Sequence, residues 1–159
     1  MKIISAQQAV EHVKDGMTVM IGGCMSNGTP EDLMDALIEK NGKDLTIIAN
    51  DTGTPGTGIA KLVAAGIVKK AIASHIGLNP MTGQLMNEGK LDVTLVPQGT
   101  LAEQIRAFGA GLGGVLTPTG IGTELEVGKE IITEDGHHFL LEKPLTADVA
   151  LLRGCIVDE

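Results

Sequence analysis

An α/β domain on a doubly wound, mainly parallel sheet is what this sequence predicts, with helices on both faces and a small antiparallel hairpin excursion. Three observations carry that expectation. Short apolar, β-branched runs alternate with helical patterns, as βαβ units require. The strand-like runs lack a polar face, which fits a parallel sheet covered on both sides. Finally, glycines account for 22 of the 159 residues and fall between dense apolar runs, so they mark tight turns rather than disorder.

The elements follow in order. Residues 5–13 read as a helix and 17–21 as a strand, ahead of a glycine turn. Thr29-Pro30-Glu31-Asp32 supplies a cap, a first-turn proline and two carboxylates, and opens a helix over 30–40. A strand over 45–49, a helix over 59–65 and a strand over 68–74 continue the alternation. After a strand at 93–97, Thr100 with Glu103 makes a capping box for a helix over 101–108. Strands follow at 115–117 and 149–152. Between them, Glu134-Asp135-Gly136 is a hairpin turn joining 130–133 to 138–141. No repeat or linker interrupts residues 1–159, which read as one domain. The run ending at Asp158-Glu159 has no closing helix, leaving an edge that invites a partner or a further segment.

Composition excludes several functions. A net charge of −8, no Trp or Tyr and only Phe108 and Phe139 as aromatics argue against nucleic-acid binding. Apolar runs such as 19–21 and 45–49 are far too short to cross a bilayer. The N-terminus has no hydrophobic signal region, and Cys24 and Cys155 form no metal motif, which points to two reduced thiols in a cytoplasmic protein.

Two places carry candidate chemistry. Gln98 stands beside a helix start after a buried strand, and its neutral amide suits the stabilisation of developing negative charge. Gly22, Gly23, Cys24, Met25, Ser26, Asn27 and Gly28 form a turn between a strand and a helix N-terminus, where backbone N–H groups favour an anion. The spacing fits neither G-x-G-x-x-G nor a P-loop, and the residues alone leave a structural turn and a ligand-facing turn both open. Plainer roles attend the other polar residues. Glu103 reads as a capping-box member, Asn50 and Asp51 as turn residues, and His75 as a satisfied histidine near the sheet. His137 and His138 read as a solvated pair in the hairpin turn. No metal site is expected.

The segments IIANDT at 47–52, ASHIGLNPMTGQLM at 73–86, VPQGTLAEQIRAFGAG at 96–111, TPTGIGT at 117–123 and LEKPLTADVALLRG at 141–154 resemble, in order, the α subunit of the family I CoA-transferases. The glycine turn GG-x4-G-x-P resembles the N-terminal signature of the same subunit. The resemblance implies a Rossmann-related fold, coenzyme A and acyl-CoA as substrates with no tightly bound cofactor, and small carboxylic acids as acceptors. A β subunit is implied as partner, in an α2β2 or α4β4 assembly. It also implies a ping-pong route through a glutamyl-CoA intermediate, with the glutamate in an S-E-N-G motif of the β subunit; that motif does not occur here. Gln98 matches the glutamine whose amide faces the oxyanion, and residues 22–28 match the stretch assigned to CoA. The family carries phenylalanine where Cys24 stands, and its α subunits run on for about another third of this length. Two other readings compete: a sugar-phosphate isomerase of similar architecture, and a domain that binds a phosphorylated metabolite without chemistry.

Overall fold

The computed structural model describes residues 2–156, so the predicted features at Asp158-Glu159 lie outside it. The chain forms two compact units: one holds the chain up to Leu95 and from Ala147 on, the other Val96–Thr146.

The first unit is built on a five-stranded, all-parallel sheet. Its strands are β1 (Thr18–Ile21), β2 (Leu45–Asp51), β3 (Val68–His75), β4 (Asp92–Leu95) and, from the end of the chain, a strand at Val149–Leu151. The spatial order runs β4-β3-β2-β1 and then the Val149–Leu151 strand. Winding therefore proceeds one way from β1 and reverses on its other side. The helices α1 (Ala6–Val10), α2 (Glu31–Glu39), α3 (Ile59–Ala64) and α4 (Pro80–Asn87) pack each on the next. Between them and alternate strand positions lies the core, with Val19, Leu45, Ile47, Met34, Leu37 and Leu62 at 1% exposure or less. Burying each such side chain contributes about 1.5–3 kcal/mol.

Local chemistry sets the helix ends. Ser5 caps α1 through a reciprocal bond pair with Gln8. The predicted Thr29 cap is not made: Pro30 is the residue before α2, no side chain caps it, and Thr29 is buried. The fold uses Thr29 to pack under the glycine turn instead. Helix α4 was not read from the sequence, although Asn79-Pro80 is an ordinary start.

The second unit holds α5 (Gln98–Gly109) and a three-stranded antiparallel sheet of β5 (Val115–Thr117), β6 (Ile131–Glu134) and β7 (His137–Glu142), with β7 central. The Val149–Leu151 strand is thus β8. The predicted hairpin forms: Asp135 and Gly136 take φ of 48° and 76°, the paired left-handed geometry of a two-residue turn. Helix α5 begins three residues earlier than expected, because the Pro97 carbonyl accepts the Leu101 N–H at 2.8 Å. The capping box at Thr100 and Glu103 is therefore overturned. Thr100 is buried inside the helix with an unpartnered hydroxyl, and Glu103 pairs with Arg106 instead.

Candidate functional site

In open α/β sheets, ligands sit outside the carboxyl ends of the strands, where the winding reverses. Here that point is the end of β1, and the chain leaves it through the glycine turn. The Gly22 N–H donates to the Leu151 carbonyl at 3.0 Å, tying the turn to β8. Cys24 and Asn27 then bond each other reciprocally at 3.0 and 2.9 Å, closing a tight two-residue turn through Met25 and Ser26. Met25 and Ser26 both take left-handed φ, 49° and 65°. For side-chain-bearing residues this costs about 1–2 kcal/mol each, so something must hold them there.

The loop after β2 does so. Asp51 is 6% exposed and accepts the Met25 N–H at 2.7 Å with one oxygen and the Gly53 N–H at 2.8 Å with the other. The Asn50 amide donates to the Gly23 carbonyl at 2.7 Å. The Ser26 hydroxyl accepts from the Thr54 N–H at 3.1 Å and from the Thr57 hydroxyl at 2.8 Å. Asn50 and Asp51 are thus structural, but they end β2 rather than lying in a turn, and what they hold is the neighbouring glycine turn. The N–H groups of Gly22, Cys24, Met25 and Asn27 are spent inside the fold. Among the described residues no bond is made by those of Gly23, Ser26 and Gly28.

Beyond this turn, a cavity of about 550 Å³ is lined by the starts of α1 and α2 and by Leu152, Arg153 and Gly154 after β8. Glu31 on its wall accepts the Gly58 N–H at 2.7 Å and pairs with Lys61 at 2.7 Å. Partial burial works against the Lys61 charge, but the hydrogen bonds it donates to Asp35 and Glu31 outweigh it and raise the ammonium above its ordinary range. Arg153 falls within the segment 141–154, but no motif in the sequence announces this cavity.

Gln98 is the first residue of α5 and is exposed. Its chain neighbours Gly99 and Thr100, with Val115, Thr117 and Thr119 of the β5 region, line a cavity of about 300 Å³. The glycine turn lies wholly in the first unit and Gln98 wholly in the second. Glu103 bonds Arg106 through one oxygen at 2.7 and 2.9 Å, which holds its carboxyl below the usual range. His75 is the last residue of β3, as its place near the sheet predicts, and is exposed; His137 and His138 begin β7 rather than lying in the turn. Cys24 is exposed, so it does not fill a packed aromatic position. Among the described residues, no cluster of His, Cys, Asp and Glu is arranged to hold a metal, and no helix is long and apolar enough to cross a membrane.

The parallel sheet reverses its winding at a glycine turn pinned by the loop after β2, the position at which open α/β folds take ligands. The profile of the coenzyme A transferase family matches residues 3–159, and the chain belongs to that family. It is 57% identical to the acetate CoA-transferase subunit alpha of Escherichia coli (strain K12) over 153 residues, 96% of this chain and 70% of that protein. It is also 57% identical to the acetoacetyl-CoA:acetate/butyrate CoA transferase alpha subunit of Clostridium acetobutylicum, over 99% of this chain and 72% of that one. Among solved structures, the thioester complex with CoA of an acyl-CoA transferase from E. coli O157:H7 superposes with a TM-score of 0.81 at 27% identity. That match covers 94% of this chain and 33% of the other. None of these relatives supports the isomerase or the binding-module reading.

Proposed function

We propose that this chain is the α subunit of a short-chain acyl CoA-transferase of the acetate/acetoacetate type, working with a β subunit in the cytoplasm as α2β2 or α4β4. CoA is its substrate and no cofactor is held tightly. The partner's glutamate attacks the thioester carbonyl and CoA leaves as thiolate; CoA then attacks the resulting anhydride, releasing the acid and forming a glutamyl-CoA thioester. The acceptor acid runs the steps in reverse. Residues 1–159 are assigned to a single α-subunit domain.

Gln98 is assigned the oxyanion: its side-chain amide donates to the tetrahedral oxygen, and its place at the first turn of α5 adds the positive end of the helix. The glycine turn is assigned to CoA, through the N–H groups of Gly23, Ser26 and Gly28. Supporting the reading most strongly is the 57% identity to two named α subunits across nearly the whole chain.

The test is exchange between acetyl-CoA and acetoacetate by the complex with a β subunit. Gln98→Ala should lower kcat by about a hundred- to a thousandfold while the complex still assembles on a sizing column. Turnover equal to wild type removes Gln98 from the site. A complex that assembles yet exchanges no CoA with either acid sinks the acetate/acetoacetate assignment.

A further inference from the structure

Glu142, at the end of β7, is a carboxylate only 4% exposed. A charge so buried persists only when paired and hydrogen-bonded. Its Oε1 accepts from Lys129 Nζ at 2.5 Å and its Oε2 from Gln104 Nε2 at 3.1 Å. Gln104 is itself buried, on the face of α5 that also carries Thr100 and Leu101. Its main-chain carbonyl accepts the Leu145 N–H at 3.1 Å. The segment leaving β7 therefore grips α5 at one residue, by main chain and side chain together.

This grip is a poor choice for stability alone. Gln104 Oε1 and the Thr100 hydroxyl one turn away are buried without any hydrogen-bond partner, a costly state that an apolar residue at 104 would avoid. What a carboxylate clamp supplies, and apolar packing does not, is a fixed position along the helix axis. A helix held by Leu or Ala side chains slides by fractions of an ångström at little cost, whereas a hydrogen bond to a pinned carboxylate does not. Gln98 is six residues ahead of Gln104 on the same rigid helix, about 9 Å along its axis. Any slip at Gln104 is carried one for one to Gln98.

We propose that Glu142, held by Lys129, is a positioning residue that fixes α5 through Gln104 and so sets the Gln98 amide against the oxyanion. The inference rests on the reading of Gln98 given above. Oxyanion donors lose their effect when displaced by fractions of an ångström, and about 1 Å of misplacement costs on the order of a hundredfold.

The test is a coupling experiment on the assembled α/β complex, with Gln104→Met, Glu142→Gln and Gln98→Ala made singly and each of the first two combined with the third. Gln104→Met keeps the length and apolar fit of the side chain, removes the orphaned oxygen and leaves the Lys129–Glu142 pair intact. Its urea midpoint should fall by about 0.5–1.5 M, because Glu142 Oε2 loses its donor, with the variant still fully folded in buffer, while kcat falls about tenfold and KM stays within about twofold. In the Gln98→Ala background, neither Gln104→Met nor Glu142→Gln should slow the enzyme further. Should Gln104→Met fail to fold, Glu142→Gln, which preserves shape and an acceptor oxygen, carries the same prediction. Wild-type kcat in a folded single variant overturns the proposal, as does an effect that multiplies in full with that of Gln98→Ala. If Gln98→Ala alone turns over like wild type, the oxyanion reading falls and takes this proposal with it. A slow Gln98→Ala with independent effects sinks the clamp alone.

Discussion

Replacing Gly23 by alanine probes the reversal point of the sheet directly. Gly23 takes φ of +116°, which L residues rarely adopt. A Cβ there would stand 2.4 Å from the Thr29 hydroxyl, 2.9 Å from the Thr29 nitrogen and 3.1 Å from the Asn27 carbonyl. Thr29 is 2% exposed and its nitrogen is main chain, so the contact is not relieved by a swinging side chain. Backbone strain of about 1–3 kcal/mol adds to about 1–3 kcal/mol for overpacking, a total near 4 kcal/mol. With a urea dependence of about 2 kcal/mol per molar, the unfolding midpoint should fall by about 2 M. Gly16 is the control, since its φ is +76° and nothing lies within 4 Å of the added carbon. Gly16→Ala should cost only the left-handed penalty of about 1–2 kcal/mol, a shift of about 0.5–1 M. Far-UV circular dichroism is the readout, because the chain has no Trp or Tyr. Equal shifts for the two variants would refute the claim that close packing under the turn, rather than backbone angle, makes Gly23 obligatory.

The anchoring of that turn and the α2–α3 bridge give two further expectations. Asp51→Asn keeps one oxygen for a backbone N–H but turns an NH2 group toward the other; stability should drop by about 2–3 kcal/mol and the Met25 amide should exchange faster with solvent, whereas unchanged protection at Met25 would show that the carboxylate does not hold the turn. Lys61, bonded to Asp35 and Glu31, is raised above its unfolded value of 10.5. Its contribution is thus complete below that value and is lost as pH rises through the raised folded one. The stability gap between wild type and Lys61→Met should therefore be present at about pH 9 and shrink as pH rises above 10.5 through the raised folded value; a gap that widens would reverse the sign argued here.

Much of the fold was legible because most strands of the parallel sheet hold a short apolar, β-branched run, and the predicted bounds fell within two residues of the observed ones. What stayed hidden has local causes. Helix α4 opens with a readable Asn79-Pro80, but Gly83 in its interior and the exposed Met81 and Met86 blur the apolar period. The start of α5 was misplaced because Gly99 argues for a loop, yet in a first turn the N–H groups need no helical partner and the Pro97 carbonyl already accepts from Leu101. At the site, residue types were visible and their partners were not. Nothing in the spacing joins Asp51 to Met25 or Glu142 to Gln104, because those bonds depend on how β2 aligns beside β1 and how the β7 end meets α5.

Those bonds also explain why this chain suits a partner's nucleophile. A carboxylate that attacks a thioester needs a lone pair that no donor already holds. Asp51 and Glu142 are the buried carboxylates among the described residues, and each has both oxygens engaged, by Met25 and Gly53 in one case and by Lys129 and Gln104 in the other. Glu103, nearest Gln98 along α5, is bound by Arg106 and held below the usual carboxyl range, which makes it a weaker nucleophile as well as a paired one. The buried acids are thereby spent on holding neutral groups in place, the turn N–H groups in one unit and the helix that carries Gln98 in the other. Under the proposed function, carboxylates whose oxygens are already engaged by donors in this way leave the attack on the thioester to a carboxylate of the partner.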